Sequence, residues 1–590
     1  MTKHEIILDP ITRIEGHMGV HAVLDDEKKK VVESHCYSTM FRGFEKILVG
    51  REPSDAIFIT QRICGVCPVV HAYASALAND MALNAPPPPL AISLRDLTDC
   101  AELLYDHAIH LFQLAGPEYS EAILSKFNRS WIDKAREYKC EYKDIHGYST
   151  MYDLLKALNP LEGQLYLYTL KLEREARKLA SLLGAKHPHI NTFVPGGIAR
   201  KWGISETEKA LSLIFVLAGL AKLTVAVWED ISKFLYDAVN YDEVGIRAAN
   251  LLCYGTVDDP ESYNAKYEDM DLWGEKRLFT PGVVINGELI TTKLKEIHLN
   301  VRQDISHSYY EKWDKEVDED LEGNKIAVEH PWNKDTIHKP QSRDWNGKYS
   351  WGTAPRWLKN GELYALEAGP IARLYVSALA GKAVVTSPWA EVKTGNGEIR
   401  ISLPETKSEM LKPSLVEAKE FKWKVPSLKL EDGTPAINTI ERNRARAYCH
   451  AYYSAISFAV TYNAISFIER GEVNVWEPFT KPNFSMGVGL NEAARGALGH
   501  WIIVKDGKIH RYQIITPSAW NISPKDRLDN PGPMEEAIKD TPITEESDPR
   551  SWTGIDILRI VRSYDPCLAC TVHVFIKKSN INYCKRKVIA

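Results

Sequence analysis

Two short cysteine pairs lie almost at the two ends of the chain. The first is Arg62-Ile63-Cys64-Gly65-Val66-Cys67, with His71 one helical turn on; the second is Asp565-Pro566-Cys567-Leu568-Ala569-Cys570, followed by His573. Cys67 and Cys567 stand 500 positions apart in a chain of 590 residues. Four thiolates can therefore share one centre only if nearly the whole chain folds between them. Each Cys-x-x-Cys unit has the spacing that grips one metal centre with both sulfurs. The sequence thus predicts a buried four-thiolate metal site that the fold itself closes.

The remaining cysteines, at 36, 100, 140, 253, 449 and 584, are isolated from one another. In a long chain that is not cysteine-dense they read as buried reduced thiols rather than a disulfide framework. A hydrophobic fraction of 44% and a charged fraction of 26% suit a soluble globular protein with ample core. The net charge of −5 favours no partner, and with no basic tract interleaved with aromatics, nucleic acid is not expected. No apolar stretch of signal-peptide type follows Met1. Residues 210–228 are apolar enough to consider as a membrane span. Lys222 inside the run and the helical spacing of Ile231, Phe234 and Leu235 favour a buried bundle helix instead.

The expected fold class is α-rich α+β, a long-helix bundle core with peripheral β-hairpins and loops. Residues 1–60 read as a β region, with Val20 to Leu24 running into a turn at 25–28 and returning at Val31. Residues 61–240 hold the first cysteine motif and helices at about 72–83, from a Ser93 cap to Leu111, at 163–183 and at 205–237. Gly65 is expected to let the backbone approach the metal, and the four prolines at 86–89 form a stiff connector. Residues 241–360 look irregular. Residues 361–475 are a helical core, periodic at 362–380 and 440–470, and 476–573 an α+β region with strands at 501–504 and 512–515. Gly487-Val488-Gly489 lacks the third glycine of a dinucleotide fingerprint, and no P-loop is present.

Zinc is the ordinary occupant of two Cys-x-x-Cys pairs, in a structural site that would make the chain an interaction scaffold. Three features argue for another metal. Zinc ribbons gather their ligands within a few dozen residues, each pair here is followed by a histidine suited to a hydrogen bond or a second metal, and Asp565-Pro566 fixes the backbone entering the site. Soft thiolate ligation also suits nickel and iron.

On these residues the chain resembles the large, catalytic subunit of nickel–iron hydrogenases. The likeness extends through Arg13-Ile14-Glu15-Gly16-His17, Phe41-Arg42-Gly43 with Glu45, Asp106-His107 with His110, Ala354-Pro355-Arg356, Gly369-Pro370 with Arg373, Glu492 to Leu498, and Pro517-Ser518 with Trp520-Asn521. The resemblance implies that Cys64, Cys67, Cys567 and Cys570 hold nickel, with Cys64 and Cys567 terminal. Cys67 and Cys570 would bridge to an iron carrying carbon monoxide and cyanide, and His71 would donate to the sulfur of Cys67, while Arg62 belongs to the same shell. Heterolytic cleavage of H2 needs a base. Cys567 would take the proton and Glu15 relay it, although Glu15 by itself reads as a solvated strand carboxylate. Arg495 would hang over the open metal position, held by Asp106 and Asp565, and act by its charge and rigid donors. Pro517 and Ser518 would surround the cyanides. Glu45, the carbonyl of Ile514 and His573 would form a separate magnesium or iron site.

Each turnover releases two electrons, and no second cluster motif exists in the chain. Electrons must leave through another chain, which the resemblance makes an iron–sulfur small subunit. It further implies a maturation endopeptidase that removes residues 574–590 after His573, nickel-insertion proteins, and membrane contact only through other subunits. Location follows the small subunit, membrane-associated or exported, with the cytoplasm as alternative. Ala494, where many relatives carry proline, is expected to loosen the cover over the metals. A non-catalytic relative, such as the quinone-end subunit of respiratory complex I, would have lost the cysteines that are present here.

Overall fold

The computed structural model describes residues 3–547 and 551–568. Cys570, His573, Cys584 and the 574–590 segment lie outside the described residues. Strands β1 (Lys3–Leu8), β2 (Met18–Asp25) and β3 (Lys30–Ser38) form an antiparallel sheet in that order. The turn after β2 is set by Asp25, whose carboxylate accepts the N–H groups of Glu27 and Lys28 at 3.1 and 3.0 Å. This is the local chemistry that makes aspartate a turn residue.

Five long helices follow among the described residues: α1 (Pro68–Ala82), α2 (Pro89–Ile109), α3 (Gln164–Gly184), α4 (Ile204–Asp237) and α5 (Thr439–Glu469). Helix α2 packs on α3 and α5, and α4 packs on the same two, so four helices close into a ring around one apolar core. Helix α4 is long and apolar enough to cross a membrane, yet its most apolar stretch is 78% buried inside the protein. Lys222 explains how a charge survives there. Its ammonium donates to the carbonyls of Pro404 (3.0 Å) and Glu417 (2.7 Å), and burial lowers its pKa to about 8.

Two helix boundaries differ from expectation. Helix α2 starts at Pro89, not at a Ser93 cap. The proline occupies the first helical position, where its missing N–H costs nothing. The 362–380 pattern begins as short strands, and its helix covers only Pro370–Ala380. Before Pro370 the chain is taken up by strand pairing, Leu363 and Tyr364 with Leu358 and Trp357, and Glu367 and Ala368 with Leu251 and Leu252, rather than by a helix face. At its other end α2 passes into a π-helical turn, His110–Leu114, an irregularity often found at functional sites.

Strands β4 (Phe484–Ala493), β5 (Gly496–Lys505) and β6 (Lys508–Ile515) make a second antiparallel sheet. Sequence reading found the last two and missed β4, whose glycines interrupt the apolar pattern. Helix α1 lies directly on it: a Cβ at Gly487 would sit 2.1 Å from the carbonyl oxygen of Ala78, and one at Gly489 1.9 Å from that of Ala74. The Gly487-Val488-Gly489 motif is therefore a helix–sheet close approach. Gly489→Ala is expected to force α1 off the sheet, lower stability by about 1–3 kcal/mol and reduce metal loading; thermal unfolding beside metal analysis measures both.

Candidate metal centre

The two ends of the chain meet under the bundle. A 3-10 turn, Gln61–Ile63, delivers Cys64 in extended conformation, and Cys67 stands at the N-cap of α1. The Arg42 guanidinium fixes this approach by donating to the carbonyls of Arg62 and Ile63, both at 2.6 Å. The Tyr105 hydroxyl donates to the Val66 carbonyl. From the other end, helix α6 (Ile555–Tyr564) stops at Asp565, whose φ of 53° turns the chain sharply towards Cys567. There the backbone pairs with that of Glu15, with the Leu568 N–H donating to the Glu15 carbonyl at 2.7 Å.

The sulfur of Cys567 lies 3.3 Å from that of Cys64 and 4.0 Å from that of Cys67, and all three residues are 1% exposed. Two thiolates bound at about 2.3 Å to one tetrahedral or planar ion stand roughly that far apart. Three buried soft sulfurs at this spacing fit a thiophilic transition metal. Gly65 leaves the space beside its backbone open: a Cβ there meets nothing within 4 Å among the described residues.

An acid and a guanidinium flank the sulfurs. Glu15 Oε2 is 3.2 Å from Cys567 Sγ. Its segment is anchored through Glu118, which pairs with Arg13 at 2.5 Å and with Arg562, while Arg562 donates to the Thr12 carbonyl at 2.9 Å. Arg495 sits in the two-residue turn between β4 and β5, since Ala493 pairs with Gly496. Its guanidinium donates to Asp106 Oδ2 (2.9 Å), Asp565 Oδ1 (3.0 Å) and the Asp565 carbonyl (3.0 Å). Burial works against the charge on Arg495, but Asp106, Asp565, Cys567 and Cys67 outweigh it and hold the pKa well above the ordinary value. It stays a cation.

The two carboxylates differ. Burial raises Asp106 to about 6 against the pull of Arg495. Burial would raise Asp565 too, but Arg495, His110 at 3.1 Å and Arg446 at 3.2 Å together hold it below the usual carboxylate range. Ala494 is tied into the cover through its backbone. Its carbonyl accepts from Arg373 (3.3 Å) and Arg446 (3.1 Å), two fully buried guanidiniums, and its side chain is fully buried.

Ser518 Oγ accepts the Cys567 N–H at 2.8 Å, and Pro517 opens the short Pro517–Asn521 helix beneath it. His71 Nδ1 lies 3.2 Å from His500 Nε2, and His500 reaches the Tyr512 hydroxyl at 2.8 Å; burial lowers His71 to about 4, so the ring is neutral. Arg62 comes to the site only by its backbone, because its exposed side chain donates to the Phe58 carbonyl at 2.7 Å. Glu45 lies apart, on the Phe44–Leu48 helix beside β6, at the edge of a cavity of about 420 Å³ that Lys334, His510 and Arg511 also line. Gln513 donates to it at 2.8 Å, and burial raises its pKa against the neighbouring Lys334. Ile514 follows Gln513 on β6.

Sequence reasoning singled out the Phe41-Arg42-Gly43 stretch without a role for Arg42, and missed Glu102, Tyr105, Glu118, Arg446 and Arg562. One signal was present for two of them: Glu102 stands at i, i+3 to Tyr105 and at i, i+4 to Asp106 on α2, the spacings that bring helical side chains together. A second ligand-type group, Cys140, His146 and Asp230, is also buried together. There Asp230 already accepts from His146 (2.8 Å) and the N–H groups of Glu141 and Tyr142 (both 2.9 Å), so it clamps a loop.

Thiols brought together from both chain ends, with an acid and a fixed guanidinium beside them, make the kind of site a metal-dependent enzyme needs. The family model for nickel-dependent hydrogenase matches residues 42–130 and 145–573, and the chain belongs to that family. It is 30% identical to the uptake hydrogenase large subunit of Rhizobium leguminosarum bv. viciae, over 96% of this chain and 95% of that one. To the hydrogenase-1 large chain of Escherichia coli K12 it is 29% identical, with the same coverage. Among solved structures it resembles the actinobacterial-type NiFe-hydrogenase of Ralstonia eutropha H16, with a TM-score of 0.92 and 37% identity over 97% of this chain and 100% of that one. The Ni-Fe-Se hydrogenase of D. vulgaris Hildenborough follows at a TM-score of 0.69 and 26% identity over 97% of this chain. The chain is thus a hydrogenase with the large-subunit fold, α-rich with peripheral sheets.

Proposed function

We propose that this chain is the catalytic subunit of a nickel–iron hydrogenase that splits H2 reversibly into protons and electrons. The observation that carries the reading is the 3.2 Å contact between Glu15 Oε2 and Cys567 Sγ, inside a nest of three buried thiols. Cys64, Cys67 and Cys567, with Cys570 from the same motif, would hold nickel, and Cys67 and Cys570 would bridge to an iron bearing cyanide and carbon monoxide. When bound, that pair of metals supplies the site at which H2 is polarised and its electrons are accepted.

The protein's own groups do the rest. Cys567 Sγ is placed to take the proton, and Glu15 to pass it outward along the segment that Arg13, Glu118 and Arg562 anchor. Arg495, a permanent cation fixed by three hydrogen bonds, stabilises negative charge at the sulfurs without reorganising. Ser518, already engaged by the Cys567 N–H through its oxygen, keeps its own hydrogen to donate towards a cyanide. Glu45, the Ile514 carbonyl and His573 would hold magnesium or iron, an assignment supported by the packing of the Phe44–Leu48 helix, which carries Glu45, against β6, which carries Ile514.

Electrons leave to an iron–sulfur small subunit, and any membrane contact runs through that partner. An endopeptidase cuts after His573 once nickel has been inserted, removing residues 574–590. Metal analysis of the purified two-subunit complex tests the whole reading. Nickel is expected together with iron in excess of it, since the small subunit's clusters add to the iron paired with nickel, and infrared bands in the carbonyl and cyanide region; zinc alone, or infrared silence from active enzyme, would sink it.

A further inference from the structure

The first turn of any helix leaves N–H groups without partners inside the helix, and the N-cap side chain ordinarily takes those at the second and third positions. In α1 the N-cap is Cys67, and it makes no side-chain cap hydrogen bond. The donors in question, Val69 N–H and Val70 N–H, are taken by Glu102 from helix α2, one by each carboxylate oxygen, at 2.8 and 3.1 Å. Glu102 is fully buried and lies one turn before Asp106 on the same helix. Burial pushes its carboxyl up, and the two amides pull the other way. Between them on that face, the Tyr105 hydroxyl holds the Val66 carbonyl.

The backbone amides that follow each cysteine of the first motif go to different acceptors. Cys64 Sγ accepts two backbone N–H groups, from Val66 and Cys67, both at 3.3 Å. For Cys67, the amides next along the chain are diverted to a carboxylate. Hydrogen bonds to ligand sulfur draw electron density away from a metal centre and move its potential.

We infer that Glu102 is a positioning residue: it caps α1 in place of Cys67, keeping the first-turn amides off that sulfur and so keeping the bridging thiolate electron-rich. The inference rests on the nickel–iron reading for its spectroscopic arm, and Glu102 touches no reacting atom.

Two variants test it. Glu102→Gln keeps one acceptor oxygen but points an NH2 group at the second amide; Glu102→Leu releases both amides. In the two-subunit enzyme both are expected to move the carbonyl and cyanide bands to higher wavenumber and the midpoint potential to a more positive value. Leucine should move them further than glutamine. Bands and potential unmoved in both variants, with metals loaded, would overturn the proposal. Wild-type enzyme without such bands would instead overturn the metal reading. The second arm needs no metal: in the full-length metal-free chain, Glu102→Leu should speed hydrogen exchange at the Val69 and Val70 amides by about tenfold or more. Exchange at the wild-type rate there would overturn the capping role outright.

Discussion

Glutamine in place of Glu15 is expected to slow exchange between H2 and solvent deuterons by about a hundredfold to ten-thousandfold, the range that a positioned acid–base group contributes. Nickel and iron should remain at wild-type amounts. Glutamine preserves the size of the side chain, and the pairing that brings the segment to Cys567 is made by backbone, the Leu568 N–H on the Glu15 carbonyl. What disappears is an oxygen that can gain and lose a proton 3.2 Å from the Cys567 sulfur. Glu15→Asp is the informative companion, because it keeps the acid and retracts it by about one carbon–carbon bond. Its rate should fall between wild type and glutamine, as it would for a relay limited by reach. Mass-spectrometric exchange measured beside metal content makes the comparison, and a glutamine variant that exchanges at the wild-type rate would remove Glu15 from the proton path.

Arg495→Lys should cost about a hundredfold to a thousandfold in turnover, the loss seen when one fixed donor at a charge-developing centre is removed. Lysine keeps the charge but not the planar fork. The three hydrogen bonds to Asp106, Asp565 and the Asp565 carbonyl hold the guanidinium in one orientation, and a single ammonium cannot reproduce that geometry. Arg495→Leu should behave differently, because it strands buried carboxylates. Removing one partner of a buried pair costs about 3–5 kcal/mol, so the leucine variant should lose metal or fold, whereas lysine should stay folded and metal-loaded. Turnover read together with thermal unfolding distinguishes them. A lysine variant of wild-type activity would show that charge alone is what the site requires.

Much of the centre was legible because its residues are short motifs whose chemistry is local. Cys64 and Cys67, or Asp565 and Cys567, announce themselves by spacing, and the bundle helices by periodicity, so α3, α4 and α5 fall within a residue or two of expectation. Packing decided the errors. The Gly487-Val488-Gly489 stretch resembles a broken nucleotide motif until α1 is seen resting on its backbone. Arg62 stands beside Cys64 in sequence yet turns outward, and Arg42, some twenty residues earlier, reaches the same carbonyls. Which arginine faces inward depends on how the 3-10 turn before Cys64 sits against the chain, and periodicity carries no information about that.

The sequence by itself determined the two cysteine motifs, the long helices and, through resemblance, the family. Those follow from covalent spacing and from apolar periodicity, both readable along a single strand of chain. Only the tertiary structure decided that Glu15 meets Cys567 across 552 positions, that Arg373 and Arg446 brace Ala494, and that Glu102 caps the helix Cys67 opens. Such contacts depend on where packed elements cross, and a carboxylate buried beside an amide has the same letter in the sequence as one in water.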